Sequence, residues 1–131
     1  MTAESGTIAP DACETRLTVI SAANAIYFKS RSAELDKASE PLLDSLVDIA
    51  KRCAGVRIEV TGHTDTAGAK SYNQELSERR AHAVVTYLVD KGIEAARIDA
   101  AGYGDTKPIV PNDSEANRAK NRRIEFRVKA R

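Results

Sequence analysis

Val56-Arg57-Ile58-Glu59-Val60-Thr61 alternates apolar and polar residues without a break, and the chain then becomes an amphipathic helix. A period of two that gives way to one of about 3.6 across a glycine-bearing loop, Gly62 to Ser71, leaves few folds open. The strand must lie in a sheet with one covered face, and the helix must be part of the cover. That helix reads from Asn73 to Asp90, with Leu76, Ala83, Val84, Tyr87 and Leu88 at three- and four-residue spacing. Lys91-Gly92 stops it.

The flanking segments extend the pattern. Leu17-Thr18-Val19-Ile20 has strand character, and Ala25-Ile26-Tyr27-Phe28 forms a second short extended run. A helix follows from about Ala33 to Arg52. A mid-helix proline is costly, so Pro41 is placed in the first turn of its main part, after a short lead-in around Ala33 to Ala38. Arg97 to Tyr103 reads as a strand, and Gly104 to Asn112 as a loop. Ser114 to Lys120 gives one or two helical turns capped by Ser114, before a last alternating strand through Ile124, Phe126 and Val128. The order predicts an α/β (α+β) two-layer sandwich, βαβαβ(α)β, with helices on one face of a mixed sheet of about four strands. Residues 1–14 read as a tail with one anchoring cysteine, and residues 15–131 as the domain.

One residue breaks the helical pattern. At roughly 100° per residue, Arg80 points along the apolar stripe of its helix, whereas Arg79 points toward the polar side. Arginine does not shed its charge, so one aimed at a core must meet an anion. Asp65, in the loop after the strand, is the candidate partner. Asn73 lies two turns before Arg80 on the same face, about 10 Å away along the axis. Arg122 has the parity of Ile124, Phe126 and Val128, which aims it at the covered side beside Arg80, while Arg123 faces away. Read from spacing alone, Asp65 and Arg80 make an internal ion pair. Gly62 and Gly68, which flank Asp65, favour close approach of a ligand instead. A carboxylate beside a guanidinium can receive both ends of a zwitterion, the ammonium on Asp65 and the carboxylate on Arg80.

Other chemistries find less support. The chain has 20 basic and 19 acidic residues, so bulk charge gives no reason to expect nucleic-acid binding. A basic C-terminal stretch lacks the aromatic partners that stack on bases. His63 and Asp65 have no third ligand at suitable spacing, since His82 lies on the opposite helix face, and no metal or cofactor is expected. Ser71 and Ser77 read as cap and helix-surface residues rather than nucleophiles, and no second carboxylate accompanies Asp65 for glycosidase chemistry. No apolar run approaches the ~20 residues of a membrane span, and the first ten residues lack the marks of a signal peptide. On their pattern, Cys13 and Cys53 are either two buried thiols or one disulfide.

The blocks Val60-Thr61-Gly62-His63-Thr64-Asp65, Gly68, Asn73, Leu76-Ser77, Arg80-Ala81, Gly102-Tyr103-Gly104 and Arg118-Ala119-Lys120-Asn121-Arg122-Arg123-Ile124-Glu125 occur in that order. In these blocks the chain resembles the OmpA-like C-terminal domain family, from about Leu17 to Val128. This family holds the peptidoglycan-binding modules of outer-membrane proteins, peptidoglycan-associated lipoproteins and flagellar stator proteins. The resemblance implies non-covalent, non-enzymatic binding of the peptidoglycan stem peptide through the zwitterionic terminus of diaminopimelate. It places Asp65 on the ammonium and Arg80 on the carboxylate, with Asn73 hydrogen-bonding the ligand. Thr64 or Thr66 and the backbone around Leu76 would line the pocket, and Arg122 would add a charged wall. It implies a periplasmic domain, monomeric, attached to the outer membrane through another part of its parent. An oxidising periplasm tips the cysteines toward a Cys13–Cys53 disulfide. One departure stands out: many relatives carry an acid just after the aromatic that ends the first strand, where this chain has Lys29 after Phe28. The competing reading is a protein-interaction domain in which Asp65 and Arg80 are structural only.

Overall fold

A computed structural model describes residues 6–23, 26–29, 31–53 and 55–130. Its elements run α1 (Pro10–Ala23), α2 (Glu40–Arg52), β1 (Val56–His63), α3 (Lys70–Asp90), β2 (Ile98–Gly102), α4 (Glu115–Asn121) and β3 (Arg123–Ala130). Short 3-10 turns precede α2, at Lys37–Ser39, and β2, at Ala95–Arg97. The strand order is β2-β1-β3, with β1 parallel to β2 and antiparallel to β3. The α+β class and the mixed sheet are as the sequence predicts, but among the described residues the sheet has three strands, not about four.

The difference lies at the N-terminal side. Leu17 to Ile20 is helical, not extended. As a strand it would bury Leu17 and Val19 on one face; instead Leu17 is fully buried and Val19 is 60% exposed. The buried positions are Cys13 and Leu17, four apart, with Ile20 packed against the core three further on. Packing on a helical stripe has overridden the β preference of Thr18-Val19-Ile20. Pro10 at the helix start and Asp11 in its first turn supply the local signal. The boundary between residues 14 and 15 falls inside this helix. Of the second extended run, Phe28 makes one antiparallel bridge to Leu35, and Ala25 lies outside the described residues. The lead-in at Ala33 to Ala38 is a hairpin arm followed by the 3-10 turn, after which Pro41 sits in the first turn of α2 as expected.

The core joins Cys13 and Leu17 of α1, Leu43 and Leu46 of α2, Val56, Ile58 and Val60 of β1, Val84 and Leu88 of α3, and Phe126 of β3. Cys13 and Cys53 form a disulfide with Cα atoms 6.1 Å apart, within the ordinary range. Arg97, only 6% exposed, donates to the Ala50 and Cys53 carbonyls at the end of α2 and to the Val56 carbonyl at the start of β1. It caps a helix C-terminus that would otherwise leave carbonyls unpaired.

Two glycines set the spacing of α3. A Cβ at Gly62 would stand 2.2 Å from the Ser77 carbonyl oxygen, and one at Gly102 would stand 2.4 Å from the Glu78 nitrogen. With no side chain at either position, α3 lies directly against the ends of β1 and β2. Ser77 seals the contact, accepting from Gly104 N and donating to the Gln74 carbonyl. This close approach carries the Asn73-to-Arg80 stretch over the end of the central strand.

Candidate ligand-binding site

Beyond the end of β1, the loop from Thr64 to Ala69 is held by its own side chains. Asp65 is 7% exposed, and its Oδ1 accepts from Ala67 N at 2.8 Å. Asn73 donates to the carbonyls of Asp65 and Ala67, and Thr64 Oγ1 donates to the Asp65 carbonyl. Asn73, Thr64 and Leu76 are all buried, while Thr66 is exposed. In this structure, then, Asn73 and Thr64 shape the loop that fixes the Asp65 carboxylate.

The expected pairing of Asp65 with Arg80 is not the one that forms. Arg122 Nη1 donates to Asp65 Oδ2 at 2.6 Å, and its Nη2 donates to Glu115 Oε2 at 2.8 Å. Arg122 does not belong to β3; it is the residue that ends α4. Its direction is therefore set by the helix-to-strand junction and not by strand parity. Asn121, fully buried, fixes that junction: it donates to the Val110 carbonyl and Asn112 Oδ1 and accepts from the Ile109 and Val110 nitrogens. The two neighbouring carboxylates raise the Arg122 pKa, Glu115 most strongly and then Asp65.

Arg80 is left with no carboxylate among the described residues. Its Nε donates to the Ser32 carbonyl at 2.8 Å, and its Cζ lies 4.8 Å from the centre of the Phe28 ring. Half-buried, it has its pKa lowered by desolvation above all; nearby Tyr72 opposes this and Arg122 adds to it. Arg80 and Arg122 both line a cleft of about 460 Å³ that also takes in Phe28, Arg31, His63 and Ile124. Lys29 is not among its lining residues: its ammonium pairs with Glu34 at 2.9 Å across the hairpin, and both groups are largely exposed. Lys29 therefore aims no cation into the cleft.

His63 is the last residue of β1, and among the described residues no group of His, Cys, Asp or Glu is arranged to hold a metal ion. The residue is instead a buried wall between the cleft and the outer face of the sheet. Its Nε2 lies 2.9 Å from Thr61 Oγ1, its ring stacks on Tyr103, and its Nδ1 has no partner among the described residues. Burial, aided by Arg123, pushes its pKa down to about 4, with Glu125 opposing. Among the described residues no helix is long and apolar enough to cross a membrane.

The fold defines a small α+β module in which a buried carboxylate, Asp65, is joined to Arg122 of a cleft whose Arg80 guanidinium meets no carboxylate among the described residues. The chain belongs to the OmpA family, whose sequence model matches residues 27–122. It is 35% identical to outer membrane porin F of Pseudomonas aeruginosa over 95% of this chain and 36% of the porin. It is 37% identical to the peptidoglycan-binding protein ArfA of Mycobacterium tuberculosis over 79% of this chain and 32% of that protein. The chain thus spans about a third of the length of these two relatives. Among solved structures, it is similar to the cell wall anchor of the T6SS from Pseudomonas aeruginosa, with a TM-score of 0.75 and 29% identity over 90% of this chain and 97% of that one. It is also similar to the peptidoglycan-associated lipoprotein from Burkholderia pseudomallei, with a TM-score of 0.72 and 30% identity over 80% and 89% of the two chains.

Proposed function

We propose that this domain binds peptidoglycan non-covalently through the diaminopimelate terminus of the stem peptide and so holds its parent protein to the cell wall. The observation that carries the reading is Arg80, a half-buried cation whose only hydrogen bond among the described residues goes to a neutral carbonyl. A charge removed from water in this way favours an anion, and a ligand carboxylate supplies one. The ligand ammonium goes to Asp65, whose fixed carboxylate then exchanges or shares Arg122. Asn73, Thr64, Thr66 and Leu76 shape the loop and floor beside it.

Three relatives support the peptidoglycan part of this reading by their names: a peptidoglycan-binding protein, a peptidoglycan-associated lipoprotein and a cell wall anchor. The domain works in the periplasm on the outer-membrane side, in keeping with related outer-membrane porins and the periplasmic domain of Helicobacter pylori MotB. It binds without cleaving.

The test is a titration of the domain with a diaminopimelate stem peptide and with its lysine counterpart, which lacks the terminal carboxylate. Binding is expected for the first alone, and Arg80→Ala should weaken it by about 2–5 kcal/mol, beyond detection for a modest ligand. Equal binding of both peptides, or of neither, would falsify the reading.

A further inference from the structure

We infer that the hairpin wall of the cleft presents Arg80 end-on, so that the site takes a free carboxylate and rejects the corresponding carboxamide, with Phe28 as the positioning residue that sets this choice. The inference rests on the peptidoglycan reading above and narrows its ligand to stem peptides whose diaminopimelate terminus is not amidated.

A guanidinium offers a carboxylate two forked edges, one made by Nε with a terminal nitrogen and the other by the two terminal nitrogens. In Arg80 the first edge is taken, because Nε donates to the Ser32 carbonyl at 2.8 Å. One face is taken as well, by the Phe28 ring at 4.8 Å. Both groups belong to a single hairpin. Phe28 bridges Leu35, Lys29 N donates to the Glu34 carbonyl, Ser32 N donates to the Lys29 carbonyl, and the Lys29–Glu34 ion pair closes the turn. The described residues on the two arms of this hairpin therefore fix both the plane and the rotation of the guanidinium. Among the described residues, only the terminal Nη1/Nη2 edge is left to form a fork with a ligand.

That edge presents two parallel N–H donors. A carboxylate meets them with two coplanar acceptors. A carboxamide turns its own N–H toward one of them and brings no charge, so one donor is left facing a donor in a half-buried site. Arg31 and Arg122 line the same cleft, which adds to its preference for an anion over a neutral group. Lysine at position 80 would offer a single point of charge with no fork.

The experiment titrates the 131-residue chain with a diaminopimelate stem tripeptide and with the same peptide carrying a carboxamide at that terminus. The wild-type domain should favour the carboxylate at least about 30-fold. Phe28→Leu keeps apolar bulk but removes the aromatic face; affinity for the carboxylate peptide should fall about 5-fold and the preference over the amide should shrink. Phe28→Tyr should restore both. In the wild-type protein the Arg80 Nε–H resonance should keep its position when peptide binds, which tests the end-on geometry even if a Phe28 variant does not fold. An unchanged preference in folded Phe28→Leu, or a ligand-dependent shift at Nε–H, would overturn the inference while leaving the peptidoglycan reading in place, and equal affinity for both peptides would overturn the inference together with the role that reading gives Arg80. Binding of neither peptide would overturn both.

Discussion

Asp65 and Arg122, joined at 2.6 Å, form an ion pair in which the arginine is shared with Glu115. The Asp65 side chain is nearly buried, while Glu115 stands largely in solvent. The shared cation neutralises a carboxylate that the loop itself holds in place. Asp65→Asn keeps an acceptor for Ala67 N but removes the charge facing Arg122. It should lower stability by about 1–3 kcal/mol, read from urea unfolding, because a nearly buried charge-assisted hydrogen bond is lost. No change in unfolding midpoint would mean that the pair contributes nothing to the fold.

Gly62→Ala should be among the most damaging of small substitutions. Its methyl group would collide with backbone, not with a side chain that can swing away. A loss of about 1–3 kcal/mol is expected, with weaker peptide binding because α3 must move off the strand end. If the variant unfolds at the wild-type urea concentration, the proposed helix–strand contact is not tight.

His63 makes stability depend on pH. In the unfolded chain its imidazole takes up a proton near 6.5, whereas in the folded protein it resists until about 4. Stability from this group is therefore complete above pH 6.5, declines as pH falls through that window, and levels off below about 4. The loss amounts to at most about 3 kcal/mol. The carboxyl of Glu125 is also held low overall: burial raises its pKa, but the hydrogen bond from Arg123 and the surrounding cations outweigh that effect. Its contribution is present above the ordinary carboxyl range and lost below it, so pH 6.5 to about 4.5 isolates the histidine. Thermal melts of His63→Gln should lose most of the wild-type slope across that interval; a slope that persists would assign it elsewhere.

Removing the disulfide should cost the fold heavily. The two cysteines are separated by 40 positions, and closing a loop of that length stabilises by about 4 kcal/mol in the chain-entropy model. A Cys13→Ser/Cys53→Ser variant compared with the oxidised protein in urea checks this figure. A difference below about 1 kcal/mol would show that α1 stays docked without the bridge.

How much of this the sequence carries depends on the range of the interaction. Val56 to Thr61, Pro41 and the Ser114 cap are local signals, and each appears in the structure where its pattern places it. Leu17 to Ile20 misleads because three β-branched residues in a row favour a strand, while the packing that makes them helical comes from α2, β3 and the disulfide. The inward aim of Arg80 follows from helix geometry, and the cleft it lines is where that geometry points. Its partner does not follow. Which arginine reaches Asp65 is decided by the end of α4, and that in turn by Asn121, whose hydrogen bonds to a loop about ten residues away leave no periodic trace. Arg97 is hidden for the same reason: a capping arginine in space looks like any strand-edge arginine in sequence.

On the proposed tethering role, the disulfide also has a mechanical meaning. A pull arriving from the N-terminal side reaches Cys13 and crosses directly to Cys53, so residues 14–52 are bypassed and cannot be drawn out as slack. The tension then enters β1 at its first residue, while the charged cleft sits beyond its last. Between them the strand is gripped on both sides, by β2 and β3, with its hydrogen bonds lying across the line of force. Failure would then require many of those bonds to shear together and not to unzip one at a time.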